Sequence, residues 1–385
     1  MKPFFADQYG LLAASDCSEQ GFNVFFQNPC DPYNRTLAYS RVWLTFSYLG
    51  LHARHNTIFG IAIISSFLIT TVLSVKPRKF NELIISALLL SSPAVMLGVE
   101  RGNSDLIIYT LCVGGVYFIT QGNLLLKIIS YFIFILAFLL KFYPIASLIL
   151  LINHIKTKKV FYYISTSIII LISIYIYVTF NDLIMIKNNI QIPYDFFLSF
   201  GSEELIRLLN IKVNTLYVSL PIIFMTIIIG FYISEILKNI NNDIDTRVIY
   251  LFLAGSANLC LCFFININYS YRCVYFLCCL PYFFRLKEHN QSVAIKSIVY
   301  AFYFFMLSVV WAEFFIYWVG DPAVMSIFKI SMMDAIKNIQ IVKHASSWGA
   351  SLTLLVFFFA IIKSSLVEKL SFNVKSDSTP KGLRT

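Results

Sequence analysis

Residues 83–120 read LIISALLLSSPAVMLGVERGNSDLIIYTLCVGGVYFIT, two apolar runs divided by Glu100, Arg101, Gly102, Asn103, Ser104 and Asp105. An apolar run of about 20 residues is what a helix needs to cross hydrocarbon, where an open strand would leave backbone groups unsatisfied. Working outward, such runs recur near 57–75, 83–98, 104–120, 124–140, 143–154, 160–180, 216–236, 248–267, 273–284, 297–319 and 345–363, about eleven in all. The whole chain of 385 residues is 58% hydrophobic and 13% charged, with a mean hydropathy of +0.74. Soluble domains carry roughly a quarter charged residues. The expected fold is therefore an all-α, polytopic integral membrane protein of about eleven transmembrane or half-membrane helices. Runs 143–154 and 273–284 are too short to cross alone and read as broken helices or as spans that begin inside a cavity. No room is left for a soluble catalytic domain of about 100 residues, so any chemistry belongs to helix ends and the loops joining them.

The net charge of +10 does not point to nucleic acid, because the basic tracts sit between apolar runs and read as orientation signals. Strict alternation of the runs places Lys76, Arg78, Lys79, Lys127, Lys156, Lys158, Lys159, Lys238, Arg247, Arg285, Lys287 and Lys296 on the cytoplasmic side, with the tail from Lys363. It places outside residues 1–56, 181–215 and 320–344, together with three tight turns, Glu100 to Asp105, Lys141 to Pro144 and Asn268 to Arg272. Three regions follow: an outer catalytic loop over 1–56, a multi-helix membrane domain over 57–363 and a cytoplasmic tail over 364–385. An outer N-terminal segment needs a route across the membrane, so the topology predicts a first helix preceding Met1. Apolar residues Phe196 to Leu209 among polar ones predict a helix lying on the outer surface over 195–212.

Cysteines show no metal-ligand spacing, and no metal and no cofactor is expected. Cys17 and Cys30 fall in the outer segment, where an oxidising compartment permits a disulfide, the alternative being two unpaired thiols.

Charges at membrane depth are costly and tend to be functional. Arg101, Lys141 and Arg272 come from three turns assigned to one face. Converged, they would form an anion site, most simply for phosphate. Plainer alternatives are a self-neutralising turn with Arg101 paired to Glu100 or Asp105, and a snorkelling Lys141. Asp7, Asp16, Glu19 and Asp31 supply carboxylates on the same side. A carboxylate opposite a phosphate site suits displacement of a phosphate leaving group by a hydroxyl.

The Glu100 to Asp105 turn, the later Lys141-Phe142-Tyr143-Pro144, Gly21-Phe22-Asn23-Val24-Phe25 and Tyr39-Ser40-Arg41-Val42-Trp43 together resemble the bacterial polyprenyl-phosphate-mannose-dependent mannosyltransferases among the C-type membrane glycosyltransferases. The likeness covers roughly the first 155 residues, with Tyr271-Arg272 as a weaker echo. It implies a bacterial plasma-membrane enzyme, active on the outer face. Such an enzyme moves a mannose-like hexose, with inversion, from a polyprenyl-phosphate donor to a lipid-linked or glycan acceptor. By resemblance Asp7 is the base, with Asp16 in reserve. Arg101, Lys141 and Arg272 hold the donor phosphate, and Glu100, Asn103, Asp105, Tyr143 and Tyr39 orient the substrate. Gly102-Asn103 replaces the Gly-Gln of many relatives, and Ser40 stands where proline is usual, so the resemblance does not carry the identity of the sugar. Two other classes remain: a transporter or flippase of lipid-linked sugars, and an O-antigen polymerase or sugar acyltransferase. The latter could use a histidine base, for which His52, His55 and His344 lack an acidic neighbour in sequence.

Overall fold

A computed structural model describes residues 4–150, 158–189, 198–265, 268–289, 292–319 and 332–377. The ends of the 143–154 run and of the cytoplasmic tail, the start of the 195–212 segment and much of 320–344 lie outside the described residues. In chain order the α-helices are α1 (Ala6–Glu19), α2 (Asn56–Val75), α3 (Phe80–Leu90), α4 (Pro93–Glu100), α5 (Ser104–Ile119), α6 (Leu124–Leu140) and α7 (Lys158–Val178). They continue with α8 (Phe180–Asn189), α9 (Ser202–Leu208), α10 (Thr215–Asp243), α11 (Thr246–Ile265), α12 (Phe276–His289), α13 (Val293–Val319) and α14 (Met332–Asp377). Two short strands, β1 (Ser199–Phe200) and β2 (Asn268–Tyr269), pair antiparallel, and 3₁₀ turns cover Arg41–Leu49, Tyr143–Leu148 and Ser270–Tyr275.

Among the described residues, five helices are long and apolar enough to cross a membrane: Ala53–Val75, Thr215–Leu237, Thr246–Ile265, Val293–Val319 and Met333–Ser364. The number rises to seven if two bent pairs, α3 with α4 and the end of α7 with α8, each count as one span. The bend of 52° between α3 and α4 has a local cause. Ser92 caps the new helix and Pro93 occupies its first turn, where a missing N–H does no harm but could not have continued the old one. Of the eleven runs expected as spans or half-spans, four fall outside this number: α5 and α6, with 16 and 17 residues, and the run 273–284 are shorter than a full crossing, and 143–154 lies partly outside the described residues.

Run 273–284 does not face lipid. It forms a 3₁₀ turn and the first part of α12, and Tyr275, Phe276, Leu277, Cys279, Leu280, Tyr282 and Phe283 are fully buried. Helix α11 is buried along most of its length beside it, so α11 and α12 form the centre of the bundle, with α13 and α14 packed around them. By contrast α2 and α10 present rows of exposed apolar side chains such as Ile69, Val72, Leu73, Phe224 and Ile228. An exposed apolar stripe on a long helix is a lipid-facing surface.

The N-terminal segment is corrected from loop to folded structure. Helix α1 buries Leu11, Leu12, Ala13, Ala14 and Cys17, and Cys17 is bonded to Cys30. The Ser15 hydroxyl donates to the Leu44 carbonyl at 2.8 Å and accepts from the Ser47 N–H, tying α1 to the following 3₁₀ turn. Over 195–212 the described part is β1 and α9. Phe200 and Ile206 there are buried against protein, Phe200 beside the Phe263 ring, while Leu209 and Ile211 are exposed.

Candidate functional site

Two of the three tight turns, Glu100 to Asp105 and Lys141 to Pro144, fold as helix ends, the third as β2 and a 3₁₀ turn, and the three meet. Arg101 and Gly102 follow α4, and Asn103 caps α5 by accepting the Asp105 N–H at 2.9 Å. Gly102 has φ +58°, and a Cβ there would lie 2.7 Å from Cβ of Phe5, so glycine is required for both conformation and approach. That approach lets the start of α1 dock on the turn: the Asp7 N–H donates to the Arg101 carbonyl at 3.0 Å. Arg101 then reaches Oδ1 of Asp7 from Nε at 2.9 Å and Nη2 at 2.6 Å, while Nδ2 of Asn103 donates to Oδ2 at 2.6 Å.

The second half of the cluster is built on Asp105. Lys141 ends α6 and is only 6% exposed, and its Nζ lies 2.8 Å from Oδ2 of Asp105. The Tyr143 hydroxyl donates to Oδ1 of Asp105, and Tyr143 and Tyr275 share a hydrogen bond of 2.7 Å. Arg272, placed by the 3₁₀ turn after β2, has Nε 3.9 Å from Asp105 and its guanidinium 5.1 Å from the Tyr143 ring centroid. Asn103 joins the halves, holding Asp7 with its amide nitrogen and capping α5 with its oxygen. Tyr39 presents its ring 5.2 Å from Nζ of Lys141. Burial pushes the Tyr39 phenol up, so it stays neutral and can donate a hydrogen bond.

The structure thus brings together Asp7, Arg101, Asn103, Asp105, Lys141, Tyr143, Arg272 and Tyr39, and it decides between the alternatives for Arg101 and Lys141. Arg101 binds neither Glu100 nor Asp105, as a self-neutralising turn would require, but Asp7 across the fold. Lys141 does not snorkel; buried to 6% exposure, its charge is paired with a carboxylate. The cations therefore do not form a bare anion hole, because Arg101 and Lys141 each already face a carboxylate. Arg272 donates from Nη1 to Oδ1 of Asn268, while its buried Nε makes no hydrogen bond and lies 3.9 Å from Asp105. Glu100 is exposed at the end of α4, and no hydrogen bond or ion pair to the cluster is described for it.

Asp16 is also set apart, nine residues along α1 from Asp7, about 13 Å at helical rise. Its carboxylate meets Nδ1 of His52 at 2.8 Å and the Ala53 N–H at 2.9 Å. His52 therefore has the acidic partner that adjacent sequence did not reveal, because the two residues are 36 positions apart. Asp16, Glu19 and His52 offer ligand atoms within 4.8 Å of one another, a metal-like grouping that a search restricted to cysteine spacing passes over.

Arg35 is the site residue that sequence reasoning missed. It binds Asp31 through Nε at 2.8 Å and Nη2 at 2.9 Å, donates to the Ala6 carbonyl and lies 3.9 Å from Asp7. The Asp31 hydrogen bonds hold the Arg35 guanidinium above its ordinary value. The spacing of four between Asp31 and Arg35 was the available signal. With Arg35, four cations face three carboxylates, leaving one positive charge in the cluster.

The Tyr39 to Trp43 element works as a clamp. Ser40 bonds Tyr175 at 2.7 Å, Arg41 binds Asp182 at 2.7 Å through both nitrogens, and the Trp43 indole donates to the Leu140 carbonyl next to Lys141. Gly21 to Phe25 is a turn at a distance, its Phe25 carbonyl accepting from Asn189. No family model, no curated protein and no solved structure matches the chain.

Proposed function

We propose that the chain is a membrane glycosyltransferase that moves a mannose-like hexose from a polyprenyl-phosphate donor to a lipid-linked or glycan acceptor, with inversion, on the outer face of a bacterial plasma membrane. The observation that carries this reading is the junction of Asp7 with Arg101, Asn103, Lys141 and Arg272 in one polar network at the helix ends. In such a transfer the acceptor oxygen bonds the anomeric carbon as the carbon–oxygen bond to phosphate breaks. The acceptor proton passes to Asp7, and the electron pair stays on the departing phosphate oxygen beside Arg272 and Arg101. Pairing of Arg101 with Asp7 in the resting cluster fits this sequence: a donor phosphate that attracts Arg101 would release the carboxylate to act as base.

Reconstituted protein supplied with a labelled polyprenyl-phosphate hexose should transfer sugar to an acceptor. Asp7→Asn should abolish transfer and retain donor binding; an active Asp7→Asn enzyme would remove Asp7 as base. Lys141→Ala should weaken donor binding. The contact of His52 with Asp16 favours one second reading, a sugar acyltransferase with His52 as base. Loss of activity in His52→Asn, with Asp7→Asn active, would select it.

A further inference from the structure

The opposite ends of the same helices form a second polar site. Helix α2 runs 20 residues, about 30 Å, from Asn56 beside the Asp7 cluster to Val75. There a cavity of about 370 Å³ opens between the end of α2, the start of α11 and the end of α12. That volume lies within the range of about 300–1,000 Å³ typical of small-molecule sites. Lys76, Arg78, Arg247, Arg285 and His289 line it, drawn from three connections that the sequence places on one side of the membrane.

Of the four carboxylates nearby, Glu82 and Glu288 are paired in the wall, while Asp243 and Asp245 line the cavity with Lys76, Arg78, Arg247 and Arg285. Arg285, buried in the wall, binds Glu288 at 2.5 Å, lies 3.8 Å from Glu82 and donates to the Lys76 carbonyl at 3.3 Å, so it braces the turn. Glu288 also takes Lys79 at 3.1 Å and lies 3.9 Å from Arg78. Asp245 accepts the Arg247 N–H at 2.8 Å and so caps α11. Asp243 is exposed on the rim. No described carboxylate forms an ion pair with Lys76 or Arg247; Nε of Arg247 donates to the Thr120 hydroxyl at 3.4 Å and its guanidinium rests 4.7 Å from the Tyr117 ring centroid. The floor is apolar, with Leu251 and Pro281, and Leu73 on α2 is 60% exposed on the lipid-facing side. A cationic pocket with an apolar wall open to lipid fits an amphiphile whose phosphate sits at the membrane surface.

We propose that this cavity binds the phosphate-bearing headgroup of an anionic phospholipid, at the membrane face opposite the Asp7 cluster. Lys76 and Arg247 meet the phosphate, Arg78 and His289 flank it, and the acyl chains leave past Leu73. The purified full chain, titrated in detergent with phosphatidylglycerol or phosphatidylcholine and followed by native mass spectrometry, tests this. Saturable binding of phosphatidylglycerol in preference to phosphatidylcholine is expected. Lys76→Asn, which tolerates the left-handed backbone at this position, and Arg247→Gln should each weaken binding about five-fold. Asp243→Asn should strengthen it, and this opposite sign separates a charge effect from misfolding. Equal affinity for the two lipids, or an affinity that none of these substitutions moves, overturns the proposal. Displacement of the lipid by glycerol 3-phosphate at similar concentration overturns the lipid source in favour of a soluble phosphate ester.

Discussion

Lys141→Met should destabilise the protein less than Asp105→Asn, although the two residues are partners in one ion pair. The pair is buried at 6% and 1% exposure, with Nζ to Oδ2 at 2.8 Å. At an effective dielectric near 20 its direct attraction is about 6 kcal/mol, and the attraction of Arg272 for Asp105 at 3.9 Å is about 4 kcal/mol. Desolvation offsets much of both, and removing one partner of a buried pair usually costs about 3–5 kcal/mol. Loss of Lys141 leaves Asp105 with Arg272 and the Tyr143 hydroxyl, which places the cost near the lower end, about 3 kcal/mol. Loss of the Asp105 charge leaves two cations facing each other without a carboxylate, at about 5 kcal/mol. The double variant removes both charges and should be more stable than Asp105→Asn alone. Thermal unfolding in detergent, read as the midpoint of retained monodisperse protein on gel filtration, ranks all four proteins. Midpoints that agree within about 1 °C across the set would refute the reasoning, since a kcal/mol change displaces a midpoint by a few degrees. That result would mean that water reaches Lys141 and screens the pair, as at a surface.

Gly102→Ala should lower the same midpoint by the equivalent of about 1–3 kcal/mol, because it sets a side chain at φ +58° against Phe5. A neutral result would mean that α1 is free to move off the turn. Reduction of the Cys17–Cys30 bridge, or Cys17→Ser with Cys30→Ser, releases a short loop with a separation of 13 residues and should cost about 3 kcal/mol by chain entropy. An unchanged midpoint under reductant would show that contacts of α1 alone fix the segment. Burial raises the Glu204 carboxyl above its ordinary 4.5, so its contribution is fully present below the unfolded value and is lost as pH rises through the folded one. Glu204→Gln should therefore raise the midpoint at neutral pH and have no effect below about pH 4. A benefit that persists in acid would point to a cause other than titration.

Membrane character and helix ends were legible in particular residues. Pro93 after Ser92, Asn103 before Ser104 and Asn123 before Leu124 mark helix starts by local chemistry, and all three cap or open helices. Grouping the Arg101, Lys141 and Arg272 turns needed only the order of the apolar runs, which sets all three at alternate run ends. What α1 would do was hidden, because its 14 residues ADQYGLLAASDCSE mix acidic, polar and small apolar side chains without a one-sided apolar stripe, and so resemble a polar loop in composition.

By itself the sequence determined that this chain lies in a bilayer, which turns sit together, and that their charges need partners. Those are consequences of hydrocarbon length and of the cost of an unpaired charge, both readable one residue at a time. Which charge meets which was decided only by tertiary structure. Arg101 chose Asp7, 94 positions away, over its neighbour Glu100, because the positive φ of Gly102 admits α1 to the turn. Lys141 met Asp105, and Lys76 came to share a cavity with Arg247 and Arg285, because helix packing sets distances that no local spacing encodes. Over a few ångströms of low-dielectric interior, those distances separate a neutralised pair from a cation able to take up a ligand.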